Sequence, residues 1–259
     1  MDLDLSGKSA LVCGSTAGIG KAIAIELAEM GANVVLLARN EEKLKVVAAE
    51  LDAAKGQKHS ILIADFSDVN SVKEAVESIR NPIHILINNT GGPPGGPIIE
   101  AKLEEFTSAF SMHLLCNHTL VQGVKQGMID SGYGRIINII STSVKIPLNG
   151  LGVSNTVRGA VGNWAKTMAN ELGVHGITVN NVLPGATATE RLSAIIESKS
   201  GKTGQSEEAI KQQFENAVPM KRVAEPHEVA AAAAFLASPA ASYINGINVP
   251  VDGGRTGSL

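Results

Sequence analysis

The sequence predicts a doubly wound α/β fold, a seven-stranded parallel sheet with helices on both faces. Three observations carry that prediction. Short β-rich apolar runs alternate with longer stretches of helical periodicity, the pattern of a sheet buried on both sides. A glycine-rich turn follows the first apolar run directly and opens the first helix. No internal repeat or linker interrupts the 259 residues, so one domain is expected over 1–259.

Taken in order, the predicted strands are Ser9–Cys13, Asn33–Ala38, Ser60–Ala64, Ile83–Asn88, Gly134–Ile140, Thr178–Leu183 and Gly246–Val251. Between the first two, Ile19, Ile23, Leu27 and Met30 recur at helical spacing, and Gly31 is the stop signal. After Ser141 the positions Val157, Val161, Trp164, Met168 and Leu172 trace one face of another helix, with Gly173 and Gly176 at its end. The least regular stretch runs from Ala186 to about Val218 and contains the polar segment 198–205. There Ser206 followed by two glutamates reads as an N-cap with an acidic first turn. A long irregular excursion in such a domain reads as a substrate loop or lid, or as a solvated helical insertion.

Composition narrows the function. A net charge of -3 argues against nucleic acid, which needs a concentrated basic face, and one Trp, two Tyr and five Phe supply no stacking platforms. The N-terminal residues lack a basic start and an apolar run, and no apolar stretch approaches the roughly 20 residues that span a bilayer, so a soluble cytoplasmic protein is expected. Cys13 and Cys116 fall in a predicted strand and helix without metal-ligand spacing. They read as reduced core thiols, and no metal site is expected.

The turn Gly14-Ser15-Thr16-Ala-Gly18-Ile19-Gly20 suits a dinucleotide. Its glycines allow a tight bend, and backbone amides at the helix N-terminus attract a pyrophosphate. At the end of the second strand, where an acidic residue would hold the ribose of NAD, the chain has Ala38-Arg39-Asn40. With no carboxylate to repel a 2′-phosphate and an arginine to grip one, NADP(H) is the expected cofactor; the plainer reading of Arg39 is a solvated loop cation.

The spacing of these glycines resembles the short-chain dehydrogenase/reductase family, and so do motifs along the chain from about residue 5 to 254. Asn88-Asn89-Thr90-Gly91-Gly92 is close to the family's Asn-Asn-Ala-Gly, followed here by a Gly-Pro-rich run to Pro97 that stiffens one wall of the cleft. Asp65-Phe66 resembles the pair bordering the adenine, although Asp65 equally suits a helix cap. Pro184-Gly185-Ala-Thr187-Ala-Thr189 resembles the segment that holds the nicotinamide carboxamide, and 235–238 and 251–254 match the family as well. The resemblance implies a Rossmann fold, a small-molecule substrate, and a homotetramer that pairs the helices beginning near Lys102 and Val153 and the C-terminal strand. A homodimer is the lesser alternative.

In that family a serine, a tyrosine, a lysine and an asparagine do the chemistry. Ser141 matches the serine, Ser154 stands at the tyrosine position, Arg158 at the lysine position, and His113 at the asparagine position. Serine is far less acidic than a phenol and reaches less far, so Ser154 is a poor general acid. Arg158, one turn on, keeps its charge and can bind ribose hydroxyls or polarise an oxygen, but gives no proton. His113 has a suitable titration range as a substitute donor, against the plainer reading of a core histidine. Lys145 and Ser143 are further candidates to line the pocket. Neither Tyr133 nor Tyr243 is placed to help. The expected function is an NADPH-dependent reductase of a carbonyl (3-oxoacyl or other keto) or conjugated enone, with an atypical site of Ser141, Arg158, Ser154 and His113. The alternatives are a non-catalytic NADP(H)-binding protein and a lyase or isomerase on the same scaffold.

Overall fold

Alternate residues of the apolar runs go to opposite faces of one parallel sheet, as the period-2 geometry of a strand requires. The computed structural model describes residues 1–258, so the last position of the expected domain lies outside the described residues. The strands are β1 (Ser9–Cys13), β2 (Asn33–Ala38), β3 (Ser60–Ile63), β4 (Ile85–Asn88), β5 (Gly134–Ile139), β6 (Ile177–Pro184) and β7 (Asn248–Val251). They lie side by side in the order β3-β2-β1-β4-β5-β6-β7, all parallel. Ala10, Val12, Val34, Leu36, Ile85, Ile87, Ile137 and Ile139 face one core, which α1 (Gly18–Glu29), α2 (Glu41–Glu50) and α9 (Pro226–Ala237) cover. Leu11, Cys13, Leu37, Leu86 and Ile136 face the other, under α3 (Val69–Glu77), α5 (Cys116–Ser131) and α6 (Gly152–Leu172). Cys13 and Cys116 are buried free thiols.

The strand ends depart from expectation by one or two residues. Ala64 and Ile140 still donate to Ala38 and Val182 as single bonds beyond the ladder, and β6 gains Ile177 and Pro184. Ends fray in this way where one hydrogen bond no longer enforces the pleat.

Of the two readings of the excursion, the helical one describes its backbone, and the N-cap expected at Ser206 is present. The polar stretch is helical: α7 (Glu190–Thr203) starts at Thr189, whose hydroxyl accepts from the Leu192 amide, and α8 (Glu207–Asn216) starts at Ser206, whose hydroxyl accepts from Ala209. Leu192, Ile196 and Ile210 bury against one another in a small core of their own, with Phe214 against it. That cluster is separate from the two main cores, so the α7–α8 pair is a docked arm and not an irregular loop.

Polar side chains also join the sheet. Asn88, Asn138, Asn181 and Asn248 stand in register on four adjacent strands, each amide donating to the next at 2.8, 2.9 and 2.8 Å. A one-residue slip of any strand would leave buried amides unpaired, which fixes the register at the end of the sheet that carries the cleft.

The remaining helices shape that cleft. α4 (Leu103–Phe110) runs through a π-helical turn at Ser111–Leu115 into α5. The Gly-Pro-rich run pairs backbone to backbone with the loop before α6, where Gly96 donates to Gly150 at 2.8 Å and Gly152 donates to Gly96 at 3.2 Å. A Cβ on Gly152 would lie 2.4 Å from that of Ile98, so only glycine permits this approach. Among the described residues, no helix is long and apolar enough to cross a membrane.

Candidate active site

Strand order reverses direction between β1 and β4, and open α/β sheets bind ligands in the crevice at such a point, beyond the carboxyl ends of the strands. A cavity of about 420 Å³ opens there. Gly14, Gly18 and Ile19 form one end of it, with Asn89, Thr90 and Gly91 beside them. The turn owes its shape to glycine: Gly14 and Gly18 have φ of 60° and 55°. A Cβ on Gly20 would lie 2.2 Å from the Gly14 carbonyl oxygen. Asn89 donates to the Cys13 and Gly14 carbonyls and pins the turn to β4. No side chain caps α1, whereas Asn40, Asp68, Thr189 and Ser206 cap α2, α3, α7 and α8, so the first amides of α1 remain available to a ligand.

Other expected cofactor residues lie outside this wall. Ser15 is buried with its hydroxyl unpartnered, and Thr16 and Gly20 sit within the turn. Arg39 is exposed at the end of β2. Asp65 lies below the usual carboxylate range because it accepts from Ser67 and, less strongly, because Arg39 is nearby. Asp65 does not cap the following helix; Asp68 does, accepting from Asn70 at 2.9 Å. Phe66 is buried in the second core. On the opposite side Pro184, Gly185, Thr187 and Thr189 line the cavity after β6.

Ser141, Ser154 and Arg158 come together on its central wall. Ser141 ends β5 in extended backbone, its hydroxyl accepting from the Ser143 amide at 3.1 Å. Ser154 and Arg158 stand one turn apart on α6, on the face toward the sheet. Arg158 is only 8 % exposed; its Nη1 donates to the Ile139 carbonyl at 3.0 Å, while Nε has no partner. Burial, and secondarily the nearby Arg191 guanidinium, bring its pKa down to about 10, so it remains cationic at neutral pH.

Three of the candidate residues lie off the cavity wall. His113, in the π-helical turn, is buried behind the wall rather than on it, with Nε2 unpartnered. Burial, with the Arg158 charge adding to it, lowers its pKa to about 2 and favours the neutral ring, in line with the plainer reading of a core histidine. Ser143 and Lys145 do not line the cavity; the Ser143 hydroxyl is buried, and Thr142 takes the wall position beside Ser141. Tyr133 donates to the Ala237 carbonyl far from the cleft, and Tyr243 is fully exposed.

The structure also adds residues. Arg191, in the first turn of α7, donates from Nη2 to the Pro93 carbonyl at 2.6 Å and so bridges the cleft mouth. Arg255 lines the cavity from the C-terminal segment, and Leu148, Leu151, Ile195 and Phe214 give it an apolar side. Arg191 had only one sequence signal, its place directly after the expected carboxamide-binding segment.

Known proteins share this architecture. NADPH-dependent reductase BacG of Bacillus subtilis is 32 % identical over 98 % of this chain and 100 % of its own length. Gluconate 5-dehydrogenase of Gluconobacter oxydans is 34 % identical over 98 % of this chain and 97 % of its own. The crystal structure of L-sorbose reductase from Gluconobacter frateurii, complexed with NADPH and L-sorbose, superposes with a TM-score of 0.93 at 32 % identity, covering all of both chains. Residues 14–256 match the family model described as enoyl-(acyl carrier protein) reductase, and the chain belongs to the short-chain dehydrogenase/reductase family.

Proposed function

We propose that the protein is an NADPH-dependent reductase of a carbonyl or conjugated enone in which Ser141 and Arg158 stabilise charge on the substrate oxygen. The observation that carries this reading is the buried Arg158 guanidinium, held by Ile139 on the same cleft wall as the Ser141 hydroxyl. The cradle fits the cofactor. Uncapped α1 amides and the close glycine turn suit a pyrophosphate, and exposed Arg39 suits a 2′-phosphate. When bound, NADPH supplies a hydride, that is, the electron pair and hydrogen that add to the substrate carbon.

The chain's own part is electrostatic. A preorganised cation and a hydroxyl donor in a partly dry site lower the cost of negative charge on oxygen. Ser154 adds at most one hydrogen bond, and neutral His113 donates no proton to the reaction. The proton that completes the reduction therefore comes from solvent, a route that suits an enone, whose enolate can wait for it. NADPH oxidation across a panel of oxo compounds and enones, followed for the parent and for Ser141→Ala, tests the reading. The expected loss is roughly 10²–10³ in kcat with NADPH affinity unchanged. Full activity in Ser141→Ala would refute the site, and tight NADPH binding without turnover of any panel member would favour a binding protein.

A further inference from the structure

The mouth of the cleft carries more positive charge than a neutral ketone needs. Arg158 and Arg191 reach one point from opposite elements: a methyl group built on Gly92 would lie 3.5 Å from Arg191 Nη2 and 3.9 Å from Arg158 Nη2. Arg255 is a third cation on the same cavity. Among the described residues, none of the three forms an ion pair. Glu190 also lines the cavity, but makes no pair with any of them. Two guanidiniums facing one gap repel each other, an arrangement that an anion between them relieves. Arg158 is more than nine-tenths buried and its Nε has no partner, so it has a donor to spare. Arg191 is held in place by Pro93, which leaves its other donors for a ligand. Beyond this cationic end, Leu148, Leu151, Ile195 and Phe214 offer an apolar wall.

We propose that Arg158 and Arg191 clamp a carboxylate of the substrate, so that the enzyme prefers oxo or enone acids with an apolar body over neutral ketones. This inference rests on the reductase reading for its catalytic consequence but not for its binding consequence. Planar guanidiniums match a carboxylate in two parallel hydrogen bonds, and Gly92 keeps the space between them clear. The cofactor's pyrophosphate is the other anion that could occupy the gap, and the experiment separates the two.

The probes are 4-oxo-4-phenylbutanoate and its methyl ester, titrated by calorimetry into protein loaded with NADP⁺. The unsaturated acid, 4-oxo-4-phenylbut-2-enoate, and its ester serve for turnover. The parent should bind the acid at least about 10-fold more tightly than the ester, as a charge-assisted pair requires. Arg191→Ala, at an exposed position where folding is not at stake, should abolish that preference while NADPH affinity stays within about twofold. Gly92→Ala, whose methyl would stand 3.5 and 3.9 Å from the two Nη2 atoms without removing a charge, should narrow the space between them and weaken acid binding. Equal affinity for acid and ester in the parent overturns the proposal. So does an Arg191→Ala variant that loses NADPH affinity while keeping its acid preference, since the arginine then serves the pyrophosphate. Acid-selective binding without turnover would uphold the clamp and sink the reductase reading instead.

Discussion

Replacing Arg158 by methionine should separate stability from function, because the same burial that makes the guanidinium useful makes it costly. Its pKa falls from 12.5 to about 10, chiefly through loss of water. A drop of that size corresponds to a penalty of roughly 3 kcal/mol on the charged form in the folded state. At pH 7 the group is cationic both folded and unfolded, so the whole penalty is present there. Methionine fills a similar volume and removes it, at the loss of one hydrogen bond to Ile139 worth about 1–2 kcal/mol. The cofactor-free variant should therefore be more stable by about 1–2 kcal/mol, a rise of about 2–6 °C in Tm for a chain of this size. Turnover should fall by roughly 10²–10³ and NADPH affinity should weaken, since the oxygen and ribose ligand is gone. Thermal unfolding without cofactor and steady-state kinetics with it are the assays. A variant that is several degrees less stable yet fully active would show that Arg158 is a structural cation and the reasoning is wrong.

Further consequences concern pH, cofactor choice and assembly. His113 has a folded pKa of about 2 against 6.5 unfolded, so its contribution is complete above pH 6.5 and is lost as pH falls below it. Relative to His113→Asn, the parent should lose about 2 kcal/mol between pH 6.5 and 5 in urea titrations; parallel curves would show that the ring is not buried neutral. Arg39 is exposed at the end of β2, where the sequence has no acidic residue to hold a ribose hydroxyl, so NADPH should bind better than NADH, and Arg39→Asp should narrow or reverse that preference in fluorescence titrations. Equal affinity of the parent for both would contradict the assignment. Leu103, Phe110 and Leu115 are exposed along α4 and its π-helical turn, and Tyr243 precedes β7. We expect these to be covered in a homotetramer, and a monomer at micromolar concentration in sedimentation would refute that.

The parts of this molecule legible in the sequence are those where local pattern and tertiary demand coincide. The β1, β4 and β5 runs are mostly apolar because both faces are buried, and the glycines at 14, 18 and 20 mark a turn no other residue can make. The spacing of Ser141, Ser154 and Arg158 followed from a strand end and a helical turn, and the structure puts all three on one wall. Helix α7 was hard to see because its apolar residues are few, and Leu192 and Ile196 pack on Ile210, Phe214 and Val223, which lie well along the chain. Arg191 had little sequence signal for a similar reason, since its partner Pro93 lies 98 residues away. The neutral state of His113 depends on burial behind Arg158, a tertiary property that residue type alone does not carry. The asparagine ladder is likewise a matter of register between strands.

The central claim is that this cleft transfers hydride with serine and arginine at positions 154 and 158. Deuterium at C4 of NADPH tests it most directly, with mass spectrometry of the product formed from 4-oxo-4-phenylbut-2-enoate or the best substrate of the panel. The account predicts one deuterium per product molecule from a single cofactor face, and its loss in the Ser141→Ala, Arg158→Ala double variant. Product formed without deuterium from either face, or label transfer undiminished in the double variant, would contradict it.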